Sequence, residues 1–254
     1  MKPLANKITL IVGVANSHSI AAGCAQAFSD AGSVIAMTYM DETAKPHVQP
    51  VADAVGAGVL MPMDVDANRQ MDAVFKSIKK NCWGKPDVLV HYIAFCPTKD
   101  LQGRVVDCSQ TGFSRTMDIS VHSLMRMAKL AEPLMTRGGT TLIITYNGSN
   151  VVDNYNIIGP VKAALEGTMP ALAFELGPKR IRVNAISPAL IESRAASGFA
   201  HFSDLIDSKR ARAPTKTVVT IKDVGNVAVM LSSDGMHSVT GDVTDVDGGL
   251  HVLA

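Results

Sequence analysis

Short apolar runs recur along the chain, separated by longer stretches in which apolar residues return every three or four positions. The short runs lie at 8–14 (ITLIVGV), 33–38 (SVIAMT), 59–63, 87–91, 140–145, 181–186 and 242–246. They are rich in β-branched residues and predict strands. Helical patterns fall between them at 20–28, 43–55, 68–80, 111–134, 154–176 and 221–231. A strand with one wet face alternates, whereas these are continuously apolar, so the sheet is expected to be covered on both faces. Strands separated by helices make parallel, right-handed βαβ units. The expected fold is α/β: a Rossmann-like, doubly wound parallel sheet with helices on both faces.

Composition sets limits on this picture. Of 254 residues, 47% are apolar and 19% charged, enough to bury a full core. No repeat, low-complexity tract or Pro/Ser-rich linker divides the chain, so one domain over 1–254 is expected. Net charge is +1 with no long Lys/Arg run, which leaves no electrostatic footprint for nucleic acid or for a basic membrane binder. No apolar stretch is long enough to span a bilayer. The apolar start of the chain lacks a long hydrophobic region and a small-residue cleavage site, so it reads as a first strand rather than a signal peptide. Cys24, Cys82, Cys96 and Cys108 show no C-x-x-C spacing and read as reduced thiols. A soluble cytoplasmic protein is expected. Weak periodicity over 187–214 predicts an irregular loop, and such segments in compact domains are usually lids or binding loops.

Chemistry first enters where strand one ends, in GVANSHSIAAG (13–23). Gly13 at a strand end permits a tight turn, and the following helix N-terminus offers N–H groups and a positive dipole end to a pyrophosphate. The spacing is not G-x-G-x-x-G, so its position after strand one carries more weight than the motif. The adenosine end belongs past strand two, around Met40 and Asp41. Asp41 repels a 2′-phosphate and the first basic residue there is Lys45, so NADH is expected in preference to NADPH. Asp64, beside Val65 past strand three, is either an adenine partner or a helix N-cap.

Tyr155 and Lys162 stand seven apart in a helical pattern, nearly two whole turns, which would present both from one face. A lysine beside the phenol, with a nicotinamide ring's positive charge, would favour the phenolate. Such a tyrosine can donate a proton or hydrogen bond to an oxygen that gains charge during hydride transfer. A surface Tyr and Lys at this spacing are common. Tyr146 changes the weighting, because it ends the strand over 140–145, where an open α/β sheet places its ligands.

These residues resemble the short-chain dehydrogenase/reductase superfamily and, within it, the bacterial NADH-dependent enoyl-acyl-carrier-protein reductases. The resemblance is carried by GVANSHSIAAG (13–23), HYIAFCP (91–97), TYNGSN with NYNIIGPVK (145–162), RVNAIS (182–187), RAASG (194–198), TIKDVGN (220–226) and VDGG (246–249). Ordinary ketoreductases of the superfamily carry Y-x-x-x-K, whereas Tyr155 and Lys162 fit the Y-x6-K of the enoyl reductases. The resemblance implies that Tyr155 steadies the enolate oxygen while NADH delivers hydride to the β-carbon of a trans-2-enoyl thioester. Tyr146 would be the first active-site tyrosine, and Lys162 would grip the nicotinamide ribose. Cofactor contacts are implied at Gly13, Ser19, Ile20, Met40, Asp64, Val65, Ile93, Lys162, Ile191, Glu192, Ser193, Arg194 and Ala195. Substrate contacts are implied at Cys96, Tyr146, Tyr155, Ile158 and Phe202. Residues 187–214 would be the mobile substrate loop, the partner an acyl thioester on acyl-carrier protein, and the assembly a homotetramer without metal.

The chain departs from the family pattern in places. Ala94 replaces a glycine, Ala189-Leu190 stands where Gly-Pro is common, Ser193 takes a threonine's place, and Glu192 and Arg194 change the loop's charge. The segment from Tyr146 to Tyr155 is one residue short. Pro160 and Pro170 fall in the catalytic helix, where an interior proline removes a hydrogen bond and costs about 3 kcal/mol. These departures keep two alternatives open: a short-chain carbonyl reductase or alcohol dehydrogenase, and a non-catalytic dinucleotide-binding protein.

Overall fold

The computed structural model describes residues 2–81, 85–146, 148, 151–152, 155–191 and 202–253, the last segment without side chains at 202–205. Among these residues seven strands form one sheet: β1 (Ile8–Val12), β2 (Val34–Tyr39), β3 (Val59–Pro62), β4 (Val88–His91), β5 (Gly139–Ile144), β6 (Ile181–Pro188) and β7 (Val243–Val246). Their order is β3-β2-β1-β4-β5-β6-β7, and every pairing is parallel. The continuously apolar runs explain this. β1 and β4 are buried at every position, with Leu10 and Leu89 in one core and Ile11 and Val90 in the other. The doubly wound sheet expected from the pattern is the one observed, with strand ends displaced by only one or two residues.

Helices α1 (Ile20–Asp30), α2 (Lys45–Ala54) and α9 (Ile221–Ser232) cover one face. The other face packs α3 (Asn68–Asn81), α6 (Ser123–Ala131) and α7 (Ile158–Leu176). Ser19 caps α1, its hydroxyl accepting from Ala22 N at 3.2 Å. Thr220 and Asp223 cap α9 reciprocally. α1 and α9 cross backbone to backbone. A Cβ on Gly23 would lie 2.3 Å from Ile221 O, and one on Gly225 would lie 2.6 Å from Gly23 O. Gly23 therefore serves helix packing.

Structure and pattern differ in three places that matter for the site. The stretch 111–134 is not one helix: α5 (Gln110–Met117) passes through a π turn (Asp118–His122) into α6. One extra residue in a turn leaves apolar periodicity nearly intact, so the pattern hides it. The turn brings Ser120 Oγ to Phe95 N at 3.1 Å and Ser123 Oγ to His91 Nε2 at 2.8 Å. Secondly, α7 begins at Ile158, so Pro160 lies in the first turn, where its missing N–H had no helical acceptor. Pro170 is interior and exposed, a local break in the helix ladder. Thirdly, 187–214 is only partly irregular. β6 runs through Pro188, and α8 (Phe202–Arg212) fills its second half; the one-turn α4 (Thr98–Leu101) belongs instead to the chain leaving β4. The α8 sequence FSDLIDSKRAR lacks an apolar stripe, which is why periodicity missed it. No helix among the described residues is long and apolar enough to cross a membrane.

Candidate active site

The strand order turns back between β1 and β4, and the crevice beyond their C-terminal ends is where such a sheet receives ligands. A cleft of about 380 Å³ opens there. It is lined by Gly13, Ala15 and Ile20 of the first turn, residues 92–96 after β4, Tyr146, Tyr155, Ile158 and Lys162, and residues 188–191 after β6. Gly13 has φ +97°, and a Cβ there would lie 1.6 Å from Tyr92 O. β1 and β4 leave each other so closely that only glycine fits.

Tyr155 lies before α7, and Asn156 has φ +43° between them, so the expected common helix face is corrected. α7 presents Lys162, while the turn ahead of it presents Tyr155; the left-handed residue ends the helical path. Asn156 Nδ2 ties that turn to Asp100 O at 3.0 Å. The Tyr155 ring meets Tyr146 edge to face, centroids 5.4 Å apart and planes at 78°. Lys162 is only 6% exposed and donates from Nζ to Ile144 O at 2.9 Å.

Burial sets the protonation states. It lowers Lys162 to about 8, with the charge of Glu166 pulling the other way. It pushes the Tyr155 hydroxyl far above the ordinary phenol range, and Tyr92, Tyr146 and Glu166 add to this. Desolvation therefore favours the protonated phenol over the phenolate, which leaves Tyr155 a donor. Tyr146 is pushed up to about 12 by burial and by Asp247. His91, wholly buried, is lowered to about 3 by burial and by the charge of Lys162. Ser123 donates to Ile119 O at 2.6 Å, so its hydroxyl accepts from Nε2 of this neutral imidazole.

The expected cofactor positions divide into three groups. Gly13, Ile20, Ile93, Lys162 and Ile191 line the cleft, as do Cys96 and Ile158 from the expected substrate set. Burial pushes the Cys96 thiol up. Ser19, Met40, Asp64 and Val65 do not line it. Ser19 caps α1 and donates its hydroxyl proton to Asn16 O at 2.7 Å. Met40, 61% exposed, follows β2, while Asp64 and Val65 follow β3. Asp64 is not a helix cap, because its carboxylate accepts from Asp66 N at 3.0 Å, well ahead of α3. Glu192, Ser193, Arg194, Ala195 and the Phe202 side chain lie outside the described residues, as does Cys82.

Asp41 accepts from the Thr43 hydroxyl at 2.6 Å and Ala44 N at 2.9 Å, which hold it below the usual carboxylate range. Lys45 lies over the Tyr39 ring, 5.6 Å from its centroid. A glycine at the switch point, a helix N-terminus behind it and a charged Asp41 past β2 fit a dinucleotide without a 2′-phosphate. Sequence reasoning passed over Tyr92, Phe95 and Leu101 as walls of the cleft, and Glu166 behind it. For the first two, the signal was their place just after β4 at the switch point; for Glu166, it was a spacing of one turn from Lys162.

The sequence pattern of the enoyl-(acyl carrier protein) reductase family matches residues 13–251. The chain is 43% identical to enoyl-acyl-carrier-protein reductase (NADH) 1 of Rhizobium meliloti, covering 96% of this chain and 90% of the relative. A solved enoyl-acyl-carrier-protein reductase of Anaplasma phagocytophilum, in complex with NAD, superposes with a TM-score of 0.94 at 39% identity, covering 99% and 96% of the two chains. The Bacillus cereus enoyl-acyl carrier protein reductase, with NADP+ and indole naphthyridinone, gives 0.97 at 38% identity, covering 100% of both. On this evidence the chain belongs to the enoyl-(acyl carrier protein) reductase family.

Proposed function

We infer that the chain is an NADH-dependent enoyl-acyl-carrier-protein reductase, which saturates the double bond of a trans-2-enoyl thioester. The observation that carries this is one cleft holding Tyr155, buried Lys162 and, edge-on to Tyr155 at 5.4 Å, Tyr146. NADH, when bound, supplies the hydride. The Tyr155 hydroxyl donates to the thioester carbonyl oxygen, whose charge grows as the enolate forms, and a proton drawn ultimately from solvent then adds to the α-carbon to complete the saturated thioester. Tyr146 fixes the direction of that hydroxyl, and Ile93, Cys96 and Ile158 keep water from the acyl chain. Lys162 would hold the nicotinamide ribose and add positive charge while protonated.

The remaining site assignments rest on the family likeness. Gly13 and Ile20, with Ser19 as the cap that shapes the turn, would hold the pyrophosphate. Met40, Asp64 and Val65 would meet the adenosine; Ile93, Ile191, Glu192, Ser193, Arg194 and Ala195 would close over the nicotinamide end, and Phe202 over the acyl chain. The charge of Asp41 supports NADH over NADPH. Residues 187–214 act as the substrate loop of one catalytic unit spanning 1–254. The chain works in the cytoplasm as a homotetramer. An exposed groove between α6 and α7, lined by Met125, Ala171 and Leu172, with Phe174 83% exposed on α7, supports the assembly.

NADH consumption with crotonyl and acetoacetyl thioesters, side by side, tests this reading. Oxidation with crotonyl thioester, abolished in Tyr155→Phe, is expected. Oxidation with acetoacetyl thioester alone would make the chain a ketoreductase. NADH binding without turnover on either substrate would leave only a dinucleotide-binding protein.

A further inference from the structure

Glu166 stands one turn beyond Lys162 on α7. Its Oε1 accepts from Thr145 Oγ1 at 2.6 Å and from Gly148 N at 2.9 Å. Both donors belong to the segment leaving β5, and they bracket Tyr146 in sequence. The two pieces of chain press together here: a Cβ on Gly148 would lie 2.7 Å from Ala163 Cα and 2.8 Å from Glu166 Oε2. One carboxylate therefore fastens the Tyr146 segment to the helix that carries Lys162. Charge-assisted bonds of this kind are short and strong.

The same carboxylate answers a second need. The ammonium of Lys162 is buried, and its Nζ donates to a neutral acceptor, Ile144 O. A buried charge needs a counter-charge. Around it, β4 brings His91, which is neutral; the exit of β5 brings Tyr146 and the turn before α7 brings Tyr155, both protonated. Among the described groups acting on Lys162, Glu166 supplies the negative charge.

We propose that Glu166 is a positioning residue of the reductase site: it sets Tyr146 against Tyr155 and balances the ammonium of Lys162. This rests on the reading of the cleft given above. Three variants separate the two roles. Glu166→Gln keeps an oxygen for Thr145 and Gly148 but loses the charge. Thr145→Val keeps the charge and loses one bond, and Glu166→Ala loses both.

The charge of Glu166 raises the Lys162 pKa, so its removal lets the ammonium lose its proton at lower pH. In Glu166→Gln the alkaline limb of kcat therefore moves to lower pH with KM unchanged. The pH dependence of NADH affinity, read by fluorescence titration, moves with it. Thr145→Val leaves the limb in place and raises KM for crotonyl thioester. Glu166→Ala lowers kcat/KM about 100-fold, the size expected for a small misplacement of reacting groups. If Glu166→Ala does not fold, the other two variants decide. The proposal is overturned by an active wild type whose Glu166→Gln form, folded by circular dichroism, keeps the wild-type limb in both measurements. A wild type inert on every enoyl thioester would instead sink the reading of the cleft, and the NADH titrations would still judge Glu166.

Discussion

Gly13 at the mouth of the cleft, and Gly23 and Gly225 at the α1–α9 crossing, lay backbone against backbone, with 1.6, 2.3 and 2.6 Å left for any added methyl. On the catalytic side, buried polar groups meet one another: His91 and Ser123 at 2.8 Å, Thr145 and Glu166 at 2.6 Å, Lys162 and Ile144 O at 2.9 Å. The glycine contacts work by leaving side chains out, so their tolerance is steric and shows in stability. The catalytic side works through protonation states that burial has displaced, so its tolerance is electrostatic and shows in pH dependence. A substitution that is harmless by size on one side can be ruinous on the other.

The largest effect expected from this contrast is at Gly13. Gly13→Ala places a methyl against Tyr92 O at a positive φ, and a loss of more than about 4 kcal/mol is expected, seen as no folded protein or a collapsed urea midpoint. A variant with the wild-type midpoint would break the steric half of the comparison. Next comes Tyr155→Phe, which removes a donor and almost no volume. It should lower kcat about 10²–10⁴-fold while leaving NADH affinity and the melting temperature as they are.

The pH predictions sharpen the electrostatic half. His91 has a folded-state pKa of about 3 against an ordinary 6.5, so below pH 6.5 the unfolded chain takes up the proton first. Stability is therefore complete above pH 6.5 and falls toward pH 3, by about 1.4 kcal/mol per unit from this group. Urea midpoints at descending pH should show the slope, and His91→Gln should flatten it. An unchanged slope would remove His91 as its source. The smallest effect belongs to a place with neither a steric nor an electrostatic role in the cleft: Thr220→Ala removes the cap of α9 and should cost about 1 kcal/mol.

Much of this was legible beforehand, for reasons tied to particular residues. The runs at β1 and β4 are apolar on both faces, which is possible only in a covered parallel sheet. Gly13 and Tyr146 could be placed at strand ends because chain direction puts every C-terminal end of such a sheet on one side. Asp41 spoke for the cofactor through its charge alone. The π turn escaped notice because Asp118–His122 carries the same residue types as a regular turn. The shared face of Tyr155 and Lys162 failed because Asn156 adopts a left-handed backbone that spacing does not reveal.

What the sequence by itself determined is the order of elements, the doubly wound sheet and the family, since burial pattern, chain direction and motif spacing are properties of the linear chain. Only the tertiary structure decided that Tyr155 is a phenol, that His91 is neutral, that Gly23 belongs to a helix crossing and that Glu166 joins the Tyr146 segment to the Lys162 helix. Each depends on how much water is removed from a group and which distant residue takes its place.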